Sequence, residues 1–289
     1  MKTVIPYFLV LLAAVLWGTT GTATTLLPDS AQPLTIAAAR SAVGGFSLLL
    51  VMILMKKINF RTWPWKATVV AAICMAIFQP LFFTSVRLTG IAIGTVVAIG
   101  SAPVFSGLIE WLFLKMRPSR SWAMATAMSV IGCSLLFLNK DALTVNPIGV
   151  TFSLIAGLVF AIYTIVTKAV LTKVEAIPAV AMTFSMSALM LMPFILSFDN
   201  TWIVDPSSIS IVLYLGLLTT SVAYILYLKG LHKVPSSSAV TLSLGEPLTA
   251  AVLSVFWVGE VLSPVSWVGI LLLLGGILVL TFSGRKRSK

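Results

Sequence analysis

The sequence predicts an all-α integral membrane protein of ten transmembrane helices, arranged as two inverted five-helix repeats with the N- and C-termini cytoplasmic. Three observations predict it. The 289 residues are 59% hydrophobic and only 9% charged, with a mean hydropathy of +1.08, so water is not the main solvent of the folded chain. The apolar runs are long. A bilayer core of about 30 Å needs roughly 20 helical residues rising ~1.5 Å each, so ten spans use on the order of 200 residues and leave only short loops. Basic residues, finally, gather in alternate loops, as the positive-inside rule requires of a fixed topology.

The spans are expected at 4–25, 33–55, 67–87, 91–114, 121–138, 147–170, 177–197, 208–230, 237–257 and 264–282. The first run, Val4 to Thr24, ends without a small-residue cleavage site and is followed by many similar runs, so it reads as a retained span, with the mature chain starting at or near Met1. Leu27-Pro28-Asp29-Ser30 breaks it from the second, and Lys56-Lys57-Ile58-Asn59-Phe60-Arg61 closes the second. Asp199-Asn200-Thr201-Trp202 separates the seventh from the eighth. Trp63, Trp65, Trp122, Trp202 and Trp267 fall at or near the expected interfaces, where an amphipathic indole is favoured.

Charge tests the count independently. With the N-terminus inside, the cytoplasmic segments hold Lys2; Lys56, Lys57, Arg61 and Lys66; Lys115, Arg117 and Arg120; Lys168 and Lys173; Lys229 and Lys233; and Arg285, Lys286, Arg287 and Lys289. Arg87 and Lys140 fall outside this pattern and Arg40 lies within a span, while Asp29, Asp141, Asp199, Asp205 and Glu260 land on the outer side. One span more or fewer would scramble the distribution. The net charge of +11 therefore belongs to loops, and no basic face interleaved with aromatics points to nucleic acid. Cys74 and Cys133 sit inside apolar runs without metal-type spacing, which supports neither a disulfide framework nor a zinc site.

An internal duplication is visible. Ala102-Pro103-Val104 matches Glu246-Pro247-Leu248, and Ile131-Gly132 matches Gly275-Gly276, both at an offset of about 144 residues; Val15-Leu16-Trp17-Gly18 aligns with Leu158-Val159-Phe160-Ala161, and Pro33 with Pro178. Five spans per half is an odd number, so the second half runs through the membrane upside down. The units are residues 1–141 and 147–283, with 284–289 a basic cytoplasmic tail.

The chain resembles the drug/metabolite transporter superfamily, in its EamA-type members with ten helices. The resemblance is carried by Leu16-Trp17-Gly18, by Ala39-Arg40, and above all by the stretch from Leu244-Gly245-Glu246-Pro247 through Gly259-Glu260-Val261-Leu262-Ser263 to Trp267-Val268-Gly269 and Gly275-Gly276. In the first half the pattern is weaker: Ala102 stands where the acid would be, Lys115-Met116 replaces Gly-Glu, and Ala125 replaces a glycine. The resemblance implies a metabolite exporter or exchanger of the plasma membrane, with amino acids and related amphipathic metabolites as substrates. It also implies alternating access to a midplane cavity between the halves.

Arg40 is the one basic residue expected well inside a span, where a charge costs a few kcal/mol or more unless it snorkels or pairs. It is a candidate for holding a substrate carboxylate or phosphate, against the plainer role of an ion pair or brace. Glu246 lies near the middle of the ninth span beside Pro247, which removes a backbone donor and is expected to kink the helix there. Its carboxyl could exchange a coupling proton, bind an ammonium group, or serve as a structural acid. Trp17, Tyr163, Tyr224 and Tyr227 could form a stacking or cation-attracting pocket or simply pack. Gln79-Pro80 pairs a polar side chain with a helix distortion, tolerated where backbone lines a cavity. Glu110 is expected near the cytoplasmic interface, hydrated, and His232 in a solvated loop. Gly90, Gly94 and Gly100 and the run Ser236-Ser237-Ser238-Ala239 allow close helix approach, while Gly132 and Gly275-Gly276 read as packing or a homodimer surface.

The expected partners are a small-molecule substrate, the lipid bilayer, a coupling proton and a homodimeric second copy. The alternative within transport is uptake of a quaternary amine, using aromatic faces and Glu246. A membrane enzyme is disfavoured: there is one loop histidine, no Ser/His/Asp constellation, no Gly-rich phosphate loop and no paired acids at metal spacing, and no cofactor is implied. A non-transporting scaffold would need neither a polar cavity nor inverted symmetry. An open pore lacks its ring of charges.

Overall fold

The computed structural model describes residues 4–55, 60–136, 146–198, 200–258 and 263–286. Lys2, Lys56, Lys57, Lys140, Asp141, Asp199, Arg287 and Lys289 lie outside them, as does the Gly259-Glu260-Val261-Leu262 part of the resemblance; the side chains of 284–289 are likewise outside. The described residues form helices joined by short turns: α1 (Ile5–Gly18), α2 (Thr20–Thr24), α3 (Pro33–Leu54), α4 (Trp65–Leu112), α5 (Arg120–Leu136), α6 (Pro147–Val170), α7 (Ala176–Ile195), α8 (Pro206–Gly216), a π-helical turn (Leu217–Val222), α9 (Ala223–Leu231), α10 (Ser236–Leu242), α11 (Gly245–Val258) and α12 (Pro264–Lys286).

Eight stretches among the described residues are long and apolar enough to cross a membrane: Ile5–Thr24, Pro33–Leu54, Trp65–Thr89, Gly94–Leu112, Pro147–Val170, Ala176–Ile195, Pro206–Leu231 and Pro264–Ser283. At the places of the other two expected spans stand α5, of 17 residues, and the pair α10 and α11, of 7 and 14 residues. The 48 residues of α4 would rise about 72 Å if straight, more than twice a bilayer core. They do not run straight. A Cβ on Gly94 would lie 2.8 Å from the Cα of Val86, so the chain turns back on itself between these residues.

Because lipid is as apolar as the protein interior, burial rather than polarity distinguishes the two faces of each helix. In α1, Ile5, Phe8, Leu12 and Val15 are exposed along one stripe, and Val10, Ala13, Ala14 and Trp17 are buried along the other. Small residues replace hydrophobic force with close approach. Gly45 of α3 faces the backbone of Phe184 and Ser185 in α7, Gly132 of α5 faces Gly269 and Leu273 in α12, and Gly276 faces Ala125 and Ser129. Gly132 and Gly276 are thus used inside the bundle. The most extensive pairings join α4 to α6, α5 to α12, α3 to α7 and α1 to α9. Cys74 and Cys133 are buried and unbridged, and Trp63 and Trp202 are buried against the protein, the Trp63 indole donating to Thr68 Oγ1 at 3.0 Å.

Three helices are irregular, and the irregularities have local causes. The first span breaks at Thr19, whose hydroxyl donates to the Leu16 carbonyl at 2.7 Å. The eighth widens into the π-turn at Leu217–Val222. The ninth breaks at Ser243-Leu244 rather than kinking at Pro247. A proline excludes the carbonyl four residues before it, here that of Ser243, and is accommodated without a kink in the first turn of a helix. Pro247 accordingly sits in the first turn of α11. Two breaks meet: a Cβ on Gly18 would lie 2.6 Å from the Glu246 carbonyl oxygen and 2.6 Å from Thr249 Cβ.

Candidate functional site

The break before α11 decides where Glu246 points. It occupies the first turn of the helix, where unpaired N–H groups and the helix dipole favour a carboxylate. The π-turn decides the rest. Its Thr219 and Thr220 hydroxyls both donate to the Leu215 carbonyl at 2.9 Å, which leaves their oxygen lone pairs facing inward.

Around these irregularities lies a cavity of about 30 Å³, lined by Trp17, Thr20, Arg40, Phe78, Gln79, Phe82, Phe83, Ile99, Phe160, Tyr224 and Glu246. That is room for a water or two and far less than the several hundred Å³ of a typical ligand pocket, so the site is narrow. Arg40, buried in α3, donates from Nε to Thr220 Oγ1 at 3.0 Å and from Nη2 to Thr219 Oγ1 at 3.0 Å and to the Thr219 carbonyl at 3.2 Å. Its guanidinium also lies 5.6 Å from the Phe83 ring centroid, within cation–π range. The Trp17 indole donates to the same Thr219 carbonyl at 3.1 Å. Gly44 makes this convergence fit, since a Cβ there would lie 2.7 Å from the Gly216 carbonyl oxygen.

Gln79 donates from Nε2 to Ser41 Oγ at 3.1 Å, and its Oε1 has no partner among the described residues, nor has Thr20 Oγ1. Both residues line the cavity, where a buried polar atom without a partner is costly unless water or a ligand meets it. Glu246, half-buried, faces the same space without an ion pair to Arg40 among the described residues. The cavity thus carries one guanidinium, one carboxyl and several aromatic faces.

Of the seven candidates read from the sequence, Trp17, Arg40, Gln79, Tyr224 and Glu246 line this cavity. Tyr163 and Tyr227 stand behind it. Both are fully buried in an aromatic cluster: Trp17 to Tyr224 at 4.8 Å and to Tyr227 at 5.1 Å between centroids, Phe160 to Tyr163 at 6.1 Å, and Tyr163 to Tyr224 at 6.0 Å. The Tyr227 hydroxyl shares a 2.9 Å hydrogen bond with Thr164. Thr219, Thr220, Thr20, Phe78, Phe82, Phe83 and Phe160 are lining or bracing residues that the sequence alone does not single out. One signal was present for them, the hydroxyl run Thr219-Thr220-Ser221 in the middle of an apolar span. Glu110, expected to be hydrated, is instead buried and accepts from the Ser236 N–H at 2.9 Å, capping α10, while the Lys168 ammonium donates to the Val234 carbonyl. His232 is exposed beyond α9.

A bundle of membrane-length helices with interrupted spans around a polar cavity is the build of a multi-pass membrane carrier. The profile of the EamA-like transporter family matches residues 4–138 and again 147–282. The chain is 46% identical over 287 residues to "Uncharacterized transporter YwfM" of Bacillus subtilis, covering 99% of this chain and 97% of that one. It is 25% identical to "Uncharacterized inner membrane transporter YicL" of Salmonella typhimurium, covering 97% of this chain and 96% of the other, and 28% identical to "Protein PecM" of Dickeya dadantii, covering 96% and 94%. A solved crystal structure superposes with a TM-score of 0.82 at 18% identity, covering 98% of this chain and 99% of that one, a likeness of fold. The chain belongs to the EamA-like transporter family, within the drug/metabolite transporter superfamily.

Proposed function

We propose that the protein carries a small amphipathic metabolite, an amino acid or related zwitterion, across the plasma membrane by alternating access, with net flux outward. One observation carries this reading: a single cavity gathers Arg40, Glu246, Gln79, Trp17 and Tyr224 from five separate spans. Arg40 supplies donors for a carboxylate; Glu246 and Gln79 Oε1 supply acceptors for an ammonium group; the aromatic faces cover an apolar side chain. Glu246 is also the group on which a coupling proton would travel. The role is that of a carrier rather than an enzyme, in keeping with relatives that are named transporters.

The frame of this reading is ten crossings in two inverted halves, 1–141 and 147–283, with both termini cytoplasmic. The double match of the family profile supports it. So do equivalent contacts in the two halves: Gly157 packs on Ser101 as Gly245 packs on Ala14, and Gly149 packs near Ser85 as Gly230 packs on Pro6, each pair related by a shift of about 144 residues. The exposed apolar surface faces lipid and is available to a second copy in a homodimer.

A second reading, uptake of a quaternary amine, draws on the aromatic lining together with Glu246. Counterflow of radiolabelled amino acids and organic cations in liposomes decides between them. Saturable exchange of amino acids lost in both Arg40→Ala and Glu246→Gln supports a zwitterion; exchange of cations that survives Arg40→Ala and is lost in Glu246→Gln supports the amine. No exchange of either class by folded protein would remove both.

A further inference from the structure

In this narrow cavity the guanidinium of Arg40 is already engaged by protein acceptors. Nε meets Thr220 Oγ1 at 3.0 Å and Nη2 meets Thr219 Oγ1 at 3.0 Å. These two nitrogens form one edge of the planar guanidinium, the edge that takes a carboxylate through two parallel hydrogen bonds. Two hydroxyl oxygens therefore stand where the two oxygens of a carboxylate would. Both hydroxyl protons are committed to the Leu215 carbonyl, so each oxygen acts towards Arg40 purely as an acceptor.

A regular α-helix would not present the pair this way, because successive residues diverge by about 100° around its axis. The wider π-turn narrows that angle and lets the hydroxyls of consecutive residues reach the same carbonyl. Meanwhile Nη1 donates to no protein atom among the described residues. It is the donor with which an incoming anion would first engage.

We propose that the Thr219–Thr220 π-turn is a built-in surrogate for the substrate's carboxylate. It holds Arg40 when no anion is bound and is displaced when a planar two-oxygen anion takes over the Nε and Nη2 edge. This rests on the reading above that Arg40 holds the anionic group of the cargo. Thr219 and Thr220 are positioning residues in this scheme. They set the affinity by competition, and they tie occupancy to the shape of the eighth span, because the released turn also carries the Thr219 carbonyl that holds Trp17.

Competition predicts an unusual sign. Thr220→Val, and more so Thr219→Val/Thr220→Val, removes acceptors that the substrate must displace, so KM for the transported amino acid falls about fivefold. Turnover falls with it, since the emptied carrier no longer re-forms the parked state. Thr220→Ser keeps the oxygen and behaves as wild type, and the amide of the transported amino acid fails to compete in any variant. A raised or unchanged KM in the valine variants, with wild-type exchange intact, overturns the proposal.

A second arm does not depend on transport. Purified, monodisperse protein is treated with phenylglyoxal, modification of Arg40 is followed by mass spectrometry, and benzoate is added as a carboxylate competitor. Unparked Arg40 in the double valine variant reacts several-fold faster than in wild type and is better protected by benzoate. Equal rates and equal protection overturn the parked state even where no amino acid is exchanged. Faster modification together with absent exchange would instead keep the parked arginine and sink the amino acid reading.

Discussion

Arg40 survives in an apolar span because three hydrogen bonds and an aromatic face replace its water. Each bond from a charged donor contributes about 1.5–3 kcal/mol, enough together to offset the several kcal/mol of placing a guanidinium at that depth. Lysine cannot reproduce the fork, so Arg40→Lys is expected to cut counterflow by more than tenfold while retaining the charge. Glu110 acts at a different place. Glu110→Ala leaves the Ser236 N–H without its acceptor and should cost about 1 kcal/mol, read as a lower thermal midpoint in detergent with KM unchanged. At this scale the sequence was informative about charge and less so about partners. Arg40 and Glu246 stand out as intramembrane ions in any reading, whereas their surroundings, Thr219, Phe82 and Phe83, are ordinary residues of an apolar run until tertiary contact places them. Tyr163 and Tyr227 carried the same aromatic signal as Tyr224, yet helical phase turns them into the cluster behind the cavity.

The helices themselves were legible almost to their ends, because a run of about 20 apolar residues between charged or proline-bearing breaks leaves few alternatives. Their interruptions were not. Nothing local in Leu217-Leu218-Thr219 demands a π-turn; it is held by contacts with α1 and α3 that lie some 180 to 200 positions away. Pro247 did announce a distortion, but the carbonyl it excludes lies four residues earlier, so the helix parts at Ser243-Leu244. Pro247→Ala is therefore expected to let α10 and α11 join, swing Glu246 out of the first turn of α11 and abolish exchange, with no loss of thermal stability. Close approach can be tested by the opposite kind of change. Gly45→Leu would drive a side chain into the Phe184–Ser185 backbone of α7 and cost about 1–3 kcal/mol or more, measured as a lower midpoint and poorer yield of monodisperse protein.

For the whole molecule, the orientation is open to direct labelling, since Cys74 and Cys133 are buried and leave a quiet background. Cysteine introduced at His232 or Lys173 should react with an impermeant maleimide only when the cytoplasmic face is opened. Cysteine at Asp29 should react in intact cells; the reverse pattern would invert the topology. The family profile matches both halves, yet their charges do not match each other. At the same offsets Arg40 corresponds to the neutral Ser185 and Glu246 to the neutral Ala102, so one half brings only the cation and the other only the anion. In the proposed inverted arrangement, exchanging the two halves would therefore not reproduce the site. On the proposed reading the two end states of a transport cycle are inequivalent: a zwitterion held by both groups would keep its carboxylate towards α3 and its ammonium towards α11 from entry to exit. Its release on the two sides would then proceed through unlike surroundings, giving unequal affinities at the two faces, an intrinsic bias in which direction the loaded carrier discharges most readily.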